Sequence, residues 1–140
     1  MFDIHAAYAA LMNSQPQLAS GFHLWRATVP RSITYLFSNV SGEHVYVGTC
    51  CKRNNGHTDD RLMNHIVRKD RLSNFGTTYK KISGSSDRET RALIGTLQVR
   101  WFEGSPADCK RVEHLVITLN APMCSDAGIY YQPSDRSEAI

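Results

Sequence analysis

The stretch "SITYLFSNVSGEHVYVG", residues 32–48, decides the fold of this chain. It contains two short runs of β-branched and aromatic residues, the types that are enriched in strands. Between them lies the tetrapeptide VSGE, residues 40–43, whose Ser and Gly favour a turn. The stretch therefore predicts two antiparallel strands that are joined as a β-hairpin.

Helix start signals occur on both sides of this hairpin. Ser, Thr and Asp side chains accept hydrogen bonds from the unpaired N–H groups of a first helical turn, where acidic residues are also favoured. A Ser followed three residues later by Glu forms a capping box, and Pro is favoured at the first helical position. These signals predict helices from Asp3 to Asn13, from Thr58 to about Leu72, from Ser86 to about Gly95, and from Ser105 onward.

The remaining segments complete a mixed architecture. Residues 73–85 are rich in Gly, Ser and Thr, which predicts a loop with some extended character. The run TLQVRWFE, residues 96–103, alternates as a strand does. We therefore expect an α/β (α+β) fold in which a small antiparallel three-stranded sheet is flanked by helices. The chain would divide into a helical extension at 1–31, a main domain at 32–126 and a tail at 127–140.

Positive charge is concentrated in the middle of the chain. The 140 residues carry a net charge of +3, but residues 52–111 hold 13 Lys and Arg against 7 Asp and Glu. A basic segment favours a polyanionic partner such as a nucleic acid, although a solvated charged surface gives the same count. No apolar run approaches the ~20 residues that cross a bilayer, so we expect no membrane partner.

Four cysteines, at positions 50, 51, 109 and 124, predict reduced thiols. No CxxC pair occurs, and a chain of this length needs no disulfide to form a core. We therefore expect a cytoplasmic, reducing location. Cys50 and Cys51 could suggest zinc together with His44 and His57, but this spacing fits no usual ligand pattern.

The predicted elements carry five residues whose side chains could take part in a reaction. Tyr35 and Tyr46 lie on adjacent strands of the hairpin, and Arg61 and His65 share one helical face by their i, i+4 spacing. Glu113 lies among apolar neighbours in the last helix. Each residue alone has an ordinary explanation, because a strand Tyr usually packs and a helix Arg or Glu is usually solvated.

Taken together, these motifs resemble the GIY-YIG nuclease family. ITY, residues 33–35, stands where that family has its first motif, and YVG, residues 46–48, matches the second with Val in place of Ile. RLMNHI, residues 61–66, carries an Arg/His pair like that of homing-endonuclease members. VEHLVITLNAP, residues 112–122, resembles the helix that bears the family's glutamate. The literal GIYY at 128–131 follows every other motif and has no YIG partner downstream, so we interpret it as a coincidence.

The resemblance implies a metal-dependent endonuclease that hydrolyses phosphodiester bonds in DNA. Glu113 would hold one Mg²⁺ or Mn²⁺, and Arg61 would bind the scissile phosphate. Tyr35 would orient or deprotonate the attacking water, with Tyr46 beside it. His65 is an alternative general base, because a free phenol with a pKa of about 10 is a weak base at neutral pH.

The glycine of the second motif and the basic loop after it would contact the nucleic acid. Gly48 lets the backbone approach the site closely. Lys52 and Arg53 can neutralise phosphates, whereas Asn54 can read a base edge. These residues lengthen the interval between the second motif and the arginine helix.

Departures from the family pattern leave other functions open. Ile33 and Thr34 replace the Gly and Ile of the first motif, and Ser125 stands where the family has its terminal asparagine. Asn120, nearer to the glutamate, and Ser125 would support the floor of the site. One alternative is a catalytically weakened nucleic-acid-binding module on the same fold, and another is an RNA-directed nuclease or toxin.

Overall fold

The computed structural model describes residues 1–51, 60–68 and 70–125. Its strands are β1 (Gln17–Leu18), β2 (Ser32–Ser38), β3 (His44–Cys51) and β4 (Gln98–Glu103). Its helices are α1 (Ile4–Asn13), α2 (Phe22–Trp25), α3 (Asp60–Ile66), α4 (Asn74–Ser83), α5 (Asp87–Gly95) and α6 (Pro106–Asn120). None of the helices in this part of the chain is long and apolar enough to span a bilayer.

Within the described residues, the strands form one antiparallel sheet in the order β1-β4-β2-β3. The predicted hairpin is confirmed as β2 and β3, whose register pairs Tyr35 with Gly48. The predicted third strand is confirmed as β4. The prediction of three strands was wrong, because β1 adds a short edge strand to β4. Two residues are too few to show the period-2 pattern by which a strand is recognised.

Both faces of the sheet are covered, so alternate residues of β2 enter two different cores. The face that carries Tyr35 packs against α2 to α5, and its core includes Trp25, Ile33, Phe37, Leu62, Phe75 and Ile94. The opposite face packs against α1 and α6, and its core includes Ala7, Leu11, Leu36, Val47, Val112 and Val116. A single hairpin therefore supplies both halves of the interior.

Three predicted helix starts are confirmed by their capping hydrogen bonds. The Asp3 carboxylate accepts from two backbone N–H groups at 3.1 Å in the first turn of α1. Ser86 and Glu89 form the reciprocal capping box of α5. The Ser105 hydroxyl accepts from the N–H of Asp108 at 3.1 Å, and α6 begins on a proline. Thr58, the predicted cap of α3, lies outside the described residues.

The helix that carries the Arg/His pair is shorter than predicted. α3 ends at Ile66, whereas the sequence pattern suggested a helix to about Leu72. Its last turn closes where the N–H groups of Val67 and Arg68 both bond to the carbonyl of Met63.

The prediction of a loop at 73–85 was wrong, because this segment forms α4. The Ser73 hydroxyl accepts from a backbone N–H of the first turn, and Gly84 ends the helix with a φ of 66°. Gly is suited to this left-handed conformation. The Gly, Ser and Thr content concealed an apolar face formed by Phe75 and Tyr79 at i, i+4 spacing, both of which are buried.

The N-terminal segment is packed into the same core as the hairpin. Trp25 lies in α2, which was not predicted, and its indole N–H donates to the carbonyl of Leu18 at 2.9 Å. The Trp25 ring also packs on Trp101 of β4, with centroids 5.3 Å apart. The boundaries proposed for the domain and its extension stay a prediction, and the tail at 127–140 lies outside the described residues.

We expect Phe75→Ala to destabilise the fold by about 3–5 kcal/mol, because it empties the middle of a ring stack. Phe75 is 2% exposed, and its ring stacks on Phe37, Tyr46 and Tyr79. Ile82→Ala on the same helix is the control, since Ile82 is 52% exposed and its removal should cost less than ~0.5 kcal/mol. Urea unfolding measures both, and equal costs would contradict the packing described for α4.

Candidate active site

Tyr35 and Gly48 form the floor of the candidate site. They are register partners on β2 and β3, and Tyr35 has no exposed surface. A Cβ atom built on Gly48 would lie 2.5 Å from the Tyr35 hydroxyl oxygen and 2.6 Å from its Cζ. The phenol therefore occupies the volume that a side chain at position 48 would fill. This contact explains why the second motif ends in glycine.

The Tyr35 hydroxyl lies at one end of a hydrogen-bonded chain of side chains. Its oxygen is 2.9 Å from Nε2 of His65, and Nδ1 of His65 is 2.7 Å from the hydroxyl oxygen of Ser73. Because Tyr35 is wholly buried, its proton needs an acceptor, and His65 Nε2 is the acceptor within reach. His65 then carries its own proton on Nδ1 and donates it to Ser73, the cap residue of α4.

Aromatic rings surround this chain. The Tyr46 ring stacks on Phe75 with centroids 4.8 Å apart, and it meets the His65 ring edge-on at 5.3 Å. The Tyr35 and Tyr46 centroids are 6.1 Å apart. Tyr46 is half-buried, whereas Tyr35 is enclosed. Of the two tyrosines, Tyr46 is therefore the one that reaches solvent.

Burial holds both partners of the tyrosine–histidine pair in their neutral forms. Loss of solvent around Tyr35 raises the pKa of its phenol well above the usual value of 10.0, and Tyr46 adds to the effect. Burial also lowers the pKa of His65 from 6.5 to about 4, with a further contribution from the positive charge of Arg61. A neutral phenol that donates to a neutral imidazole is the arrangement that these directions favour.

The charges of Arg61 and Glu113 both act on the Tyr35 phenol. Arg61 lowers the pKa of Tyr35 and Glu113 raises it, so both charges lie within electrostatic range of the phenol. Arg61 is exposed at the start of α3. Glu113 belongs to α6, on the other side of the sheet, and its side chain is only 13% exposed. Its carboxylate accepts a hydrogen bond from the ammonium group of Lys110 at 3.1 Å.

Glu113 is the residue that could hold the expected metal ion. Among the described residues, no three His, Cys, Asp or Glu side chains come together as a metal site. A single carboxylate nevertheless fits Mg²⁺, because this ion keeps several waters and completes its shell with phosphate oxygens. Lys110 would have to yield the carboxylate oxygen that it now binds.

Ser125 has a defined structural role beside the second motif. The backbone N–H of Val47 donates to the buried Ser125 hydroxyl at 2.9 Å. The N–H groups of Met123 and Cys124 donate to the carbonyls of His44 and Val45 at 3.2 and 2.7 Å. Residues 123–125 therefore cover the outer edge of β3 and fix the strand that carries Tyr46 and Gly48.

Asn120 lies at the end of α6 and contacts α1. Its side-chain oxygen accepts a hydrogen bond from the Tyr8 hydroxyl at 2.8 Å, which ties the end of α6 to α1. It is not among the residues that contact the tyrosine–histidine pair. Lys52, Arg53 and Asn54 lie outside the described residues, so the proposed DNA-binding loop stays a prediction.

Sequence reasoning missed three residues that shape the site. Ser73 holds the far side of His65, Phe75 supports the Tyr46 ring, and Lys110 binds Glu113. Ser73 could have been found as a helix cap followed by Phe75 and Tyr79 at helical spacing. The Lys110 contact has i, i+3 spacing within the predicted last helix.

No protein-family model, curated protein or solved structure was found to match this chain.

We expect Gly48→Ala to destabilise the protein by at least about 1–3 kcal/mol, because the new methyl group would overlap the Tyr35 phenol. Gly95→Ala is the control, since the nearest atom to its Cβ is 3.7 Å away, which is ordinary contact. Urea unfolding measures both variants. Equal stability of the two alanine variants would refute the contact.

Acid should weaken the fold through His65. The pKa of His65 is about 4 in the folded protein and 6.5 ordinarily, so the unfolded chain binds the proton more tightly. The folding stability that neutral His65 contributes is therefore fully present above its ordinary pKa of 6.5, and it is lost as the pH falls toward about 4. Between about pH 7.5 and pH 5 we expect a loss of about 2 kcal/mol from this residue.

Urea unfolding of His65→Gln at both pH values tests this expectation, because glutamine keeps polar atoms but does not titrate. The variant should lose less stability on acidification than the wild type. His5→Gln is the control, since His5 is exposed on α1. Identical pH dependence in all three proteins would show that His65 is not held neutral by the fold.

Proposed function

We propose that this protein is a metal-dependent endonuclease that hydrolyses phosphodiester bonds in DNA by a one-metal, GIY-YIG-type mechanism. The observation that carries the proposal is the Tyr35–His65–Ser73 hydrogen-bonded chain, built directly over Gly48 of the second motif. The resemblance of the motif order to the GIY-YIG family supports the same assignment. Packing alone does not require a half-buried histidine that is bonded at both nitrogens.

Charge at the site also supports a phosphodiester substrate. Arg61 is exposed, and its guanidinium can hold two phosphate oxygens at once. Its positive charge would stabilise the negative charge that accumulates on the phosphoryl group as the bond breaks. The positive charge that surrounds it in sequence between residues 52 and 111 favours the same polyanionic partner.

Tyr35 and Tyr46 would have different roles toward the attacking water. Tyr46 is half-buried, so water can reach it, and its ring orientation is fixed by Phe75. Tyr35 is enclosed, and its proton is committed to His65. We infer that Tyr35 and His65 position the water-binding surface, and that Tyr35 acts as a base only in a state that opens its hydroxyl to water.

Glu113 would hold Mg²⁺ or Mn²⁺, which supplies Lewis-acid stabilisation of the scissile phosphate and its leaving oxygen. The protein's own contribution is to keep this carboxylate partly desolvated beside the sheet. Lys110 donates a hydrogen bond to Glu113 and would have to leave the carboxylate oxygen that the ion takes.

We expect Glu113→Gln to reduce cleavage of supercoiled plasmid DNA by at least about a hundredfold, or ~2.7 kcal/mol. The change removes the charged metal ligand and keeps the side-chain shape. Glu103→Gln is the matched control, since Glu103 is exposed at the end of β4 and should be neutral. Plasmid incubation with Mg²⁺ or EDTA measures cleavage, and a gel shift with Ca²⁺ measures binding.

The outcomes distinguish the three functions. If Glu113→Gln cleaves the plasmid at the wild-type rate, the assignment of Glu113 as the metal ligand is wrong. DNA binding without Mg²⁺-dependent cleavage would favour the binding module on the same fold. Cleavage of an RNA of the same sequence in preference to the DNA would favour the RNA-directed nuclease or toxin.

A further inference from the structure

A cavity lies on the sheet face opposite to Tyr35. It has a volume of about 230 Å³ and lies at the turn end of the hairpin, next to α1. Its apolar wall includes Met12 and Leu36, and its polar lining includes Ser38, His44, Gln98 and Arg100. Leu36 belongs to the core under α1 and α6, so the cavity and the tyrosine–histidine pair lie on opposite faces of the sheet.

Arg100 brings a positive charge to this cavity, where none of the described residues gives it an acidic partner. The residue is half-buried, and it pairs with Leu36 across β2 and β4. Its Nε donates to the carbonyl of Ser14 at 3.2 Å. No ion pair joins Arg100 to a carboxylate of the described residues. A guanidinium stays charged in proteins, and partial removal from water leaves its charge uncompensated.

Neutral hydrogen-bonding groups surround the Arg100 charge. Ser38 is 2% exposed, and its hydroxyl oxygen lies 3.2 Å from Nδ1 of His44. Burial and the nearby Arg100 charge lower the pKa of His44, so its ring is neutral at neutral pH. When Nδ1 accepts the Ser38 proton, Nε2 of His44 carries a hydrogen that can be donated. Gln98 adds a side-chain amide with two further donors.

We propose that this cavity binds a small oxyanion, with Arg100 as the charged partner and His44 and Gln98 as neutral donors. The ligand class is a molecule with a phosphate, sulfate or carboxylate group and at most a short apolar part. Arginine binds such groups through two parallel hydrogen bonds. The cavity volume is below the ~300 Å³ at which pockets for drug-sized ligands begin, so the ligand is small. Met12 and Leu36 provide the wall for its apolar part.

The test is a titration followed by amide and imidazole NMR shifts, with sodium sulfate and sodium butyrate as probes. Sodium chloride keeps the ionic strength constant. At least one probe should cause saturable shifts in the backbone amides of residues 38–44 and in the His44 ring. Linear, unsaturated shifts with both probes up to 100 mM would overturn the proposal.

Two variants distinguish anion binding in the cavity from anion binding to surface charge in general. Arg100→Met should weaken the binding of the saturating probe by at least tenfold, whereas Arg88→Met removes an exposed charge on α5 and should leave it unchanged. Equal effects of the two variants would overturn the proposal. Since Arg100 also bonds to Ser14, thermal unfolding checks that its variant is folded. Ser38→Ala provides a second variant if it is not, and it should weaken binding at least threefold.

A final arm distinguishes a free small anion from a nucleic-acid phosphate. A 12-base-pair duplex is titrated into the Glu113→Gln variant in the absence of divalent ions. A free-anion site predicts that the amides of residues 38–44 do not move with the duplex. Saturable shifts there with the duplex, but with neither sulfate nor butyrate, would assign the cavity to a nucleic-acid interface and overturn the proposal. This outcome is independent of whether the duplex is ever cleaved.

Discussion

The close approach of the Tyr35 phenol to Gly48 is the constraint on which the rest of this structure depends. An antiparallel register places the two residues opposite each other, and the missing side chain leaves room for the ring. The phenol can then lie over the edge strand with its hydroxyl directed to His65. A Cβ at position 48 would overlap the phenol, so a larger residue there would force the ring or the strand to shift. The hairpin therefore determines where α3 can dock.

The same contact explains why α4 is needed. A histidine bonded to a buried phenol must present its second nitrogen to another polar group, because an unpaired buried N–H is costly. Ser73 supplies that group, and its hydroxyl also caps α4. One hydroxyl thus joins the end of a helix to the hydrogen-bonded chain. Phe75, two residues later, completes the arrangement by stacking on Tyr46.

Local signals in the sequence were sufficient for the hairpin and for α1, α5 and α6. Strand alternation and capping residues act over a few neighbouring positions, so the pattern at Ser86 and Glu89 is readable without the fold. α4 has similar local signals in Ser73, Phe75 and Tyr79, but the Gly, Ser and Thr content of residues 73–85 favoured a loop, and the apolar face of the helix is completed by rings of distant elements. The bond from Val47 to Ser125 spans 78 residues, and no local pattern indicates it. The tyrosines, His65 and Gly48 were predicted as neighbours, whereas the bond from Ser73 to His65 depends on how α3 and α4 pack together.

The protonation of the tyrosine–histidine pair limits what it can do as a base. Burial raises the pKa of Tyr35 and lowers that of His65, so proton transfer from the phenol to the imidazole is unfavourable in the free protein. Arg61 helps one half of this transfer and opposes the other, because its charge lowers the pKa of both groups. A positive charge that lowers both pKa values equally therefore does not favour proton transfer from Tyr35 to His65. Activation requires that a charge acts on the phenol more strongly than on the imidazole. Glu113 and Arg61, which perturb Tyr35 with opposite signs, are the groups whose balance a bound phosphate would change.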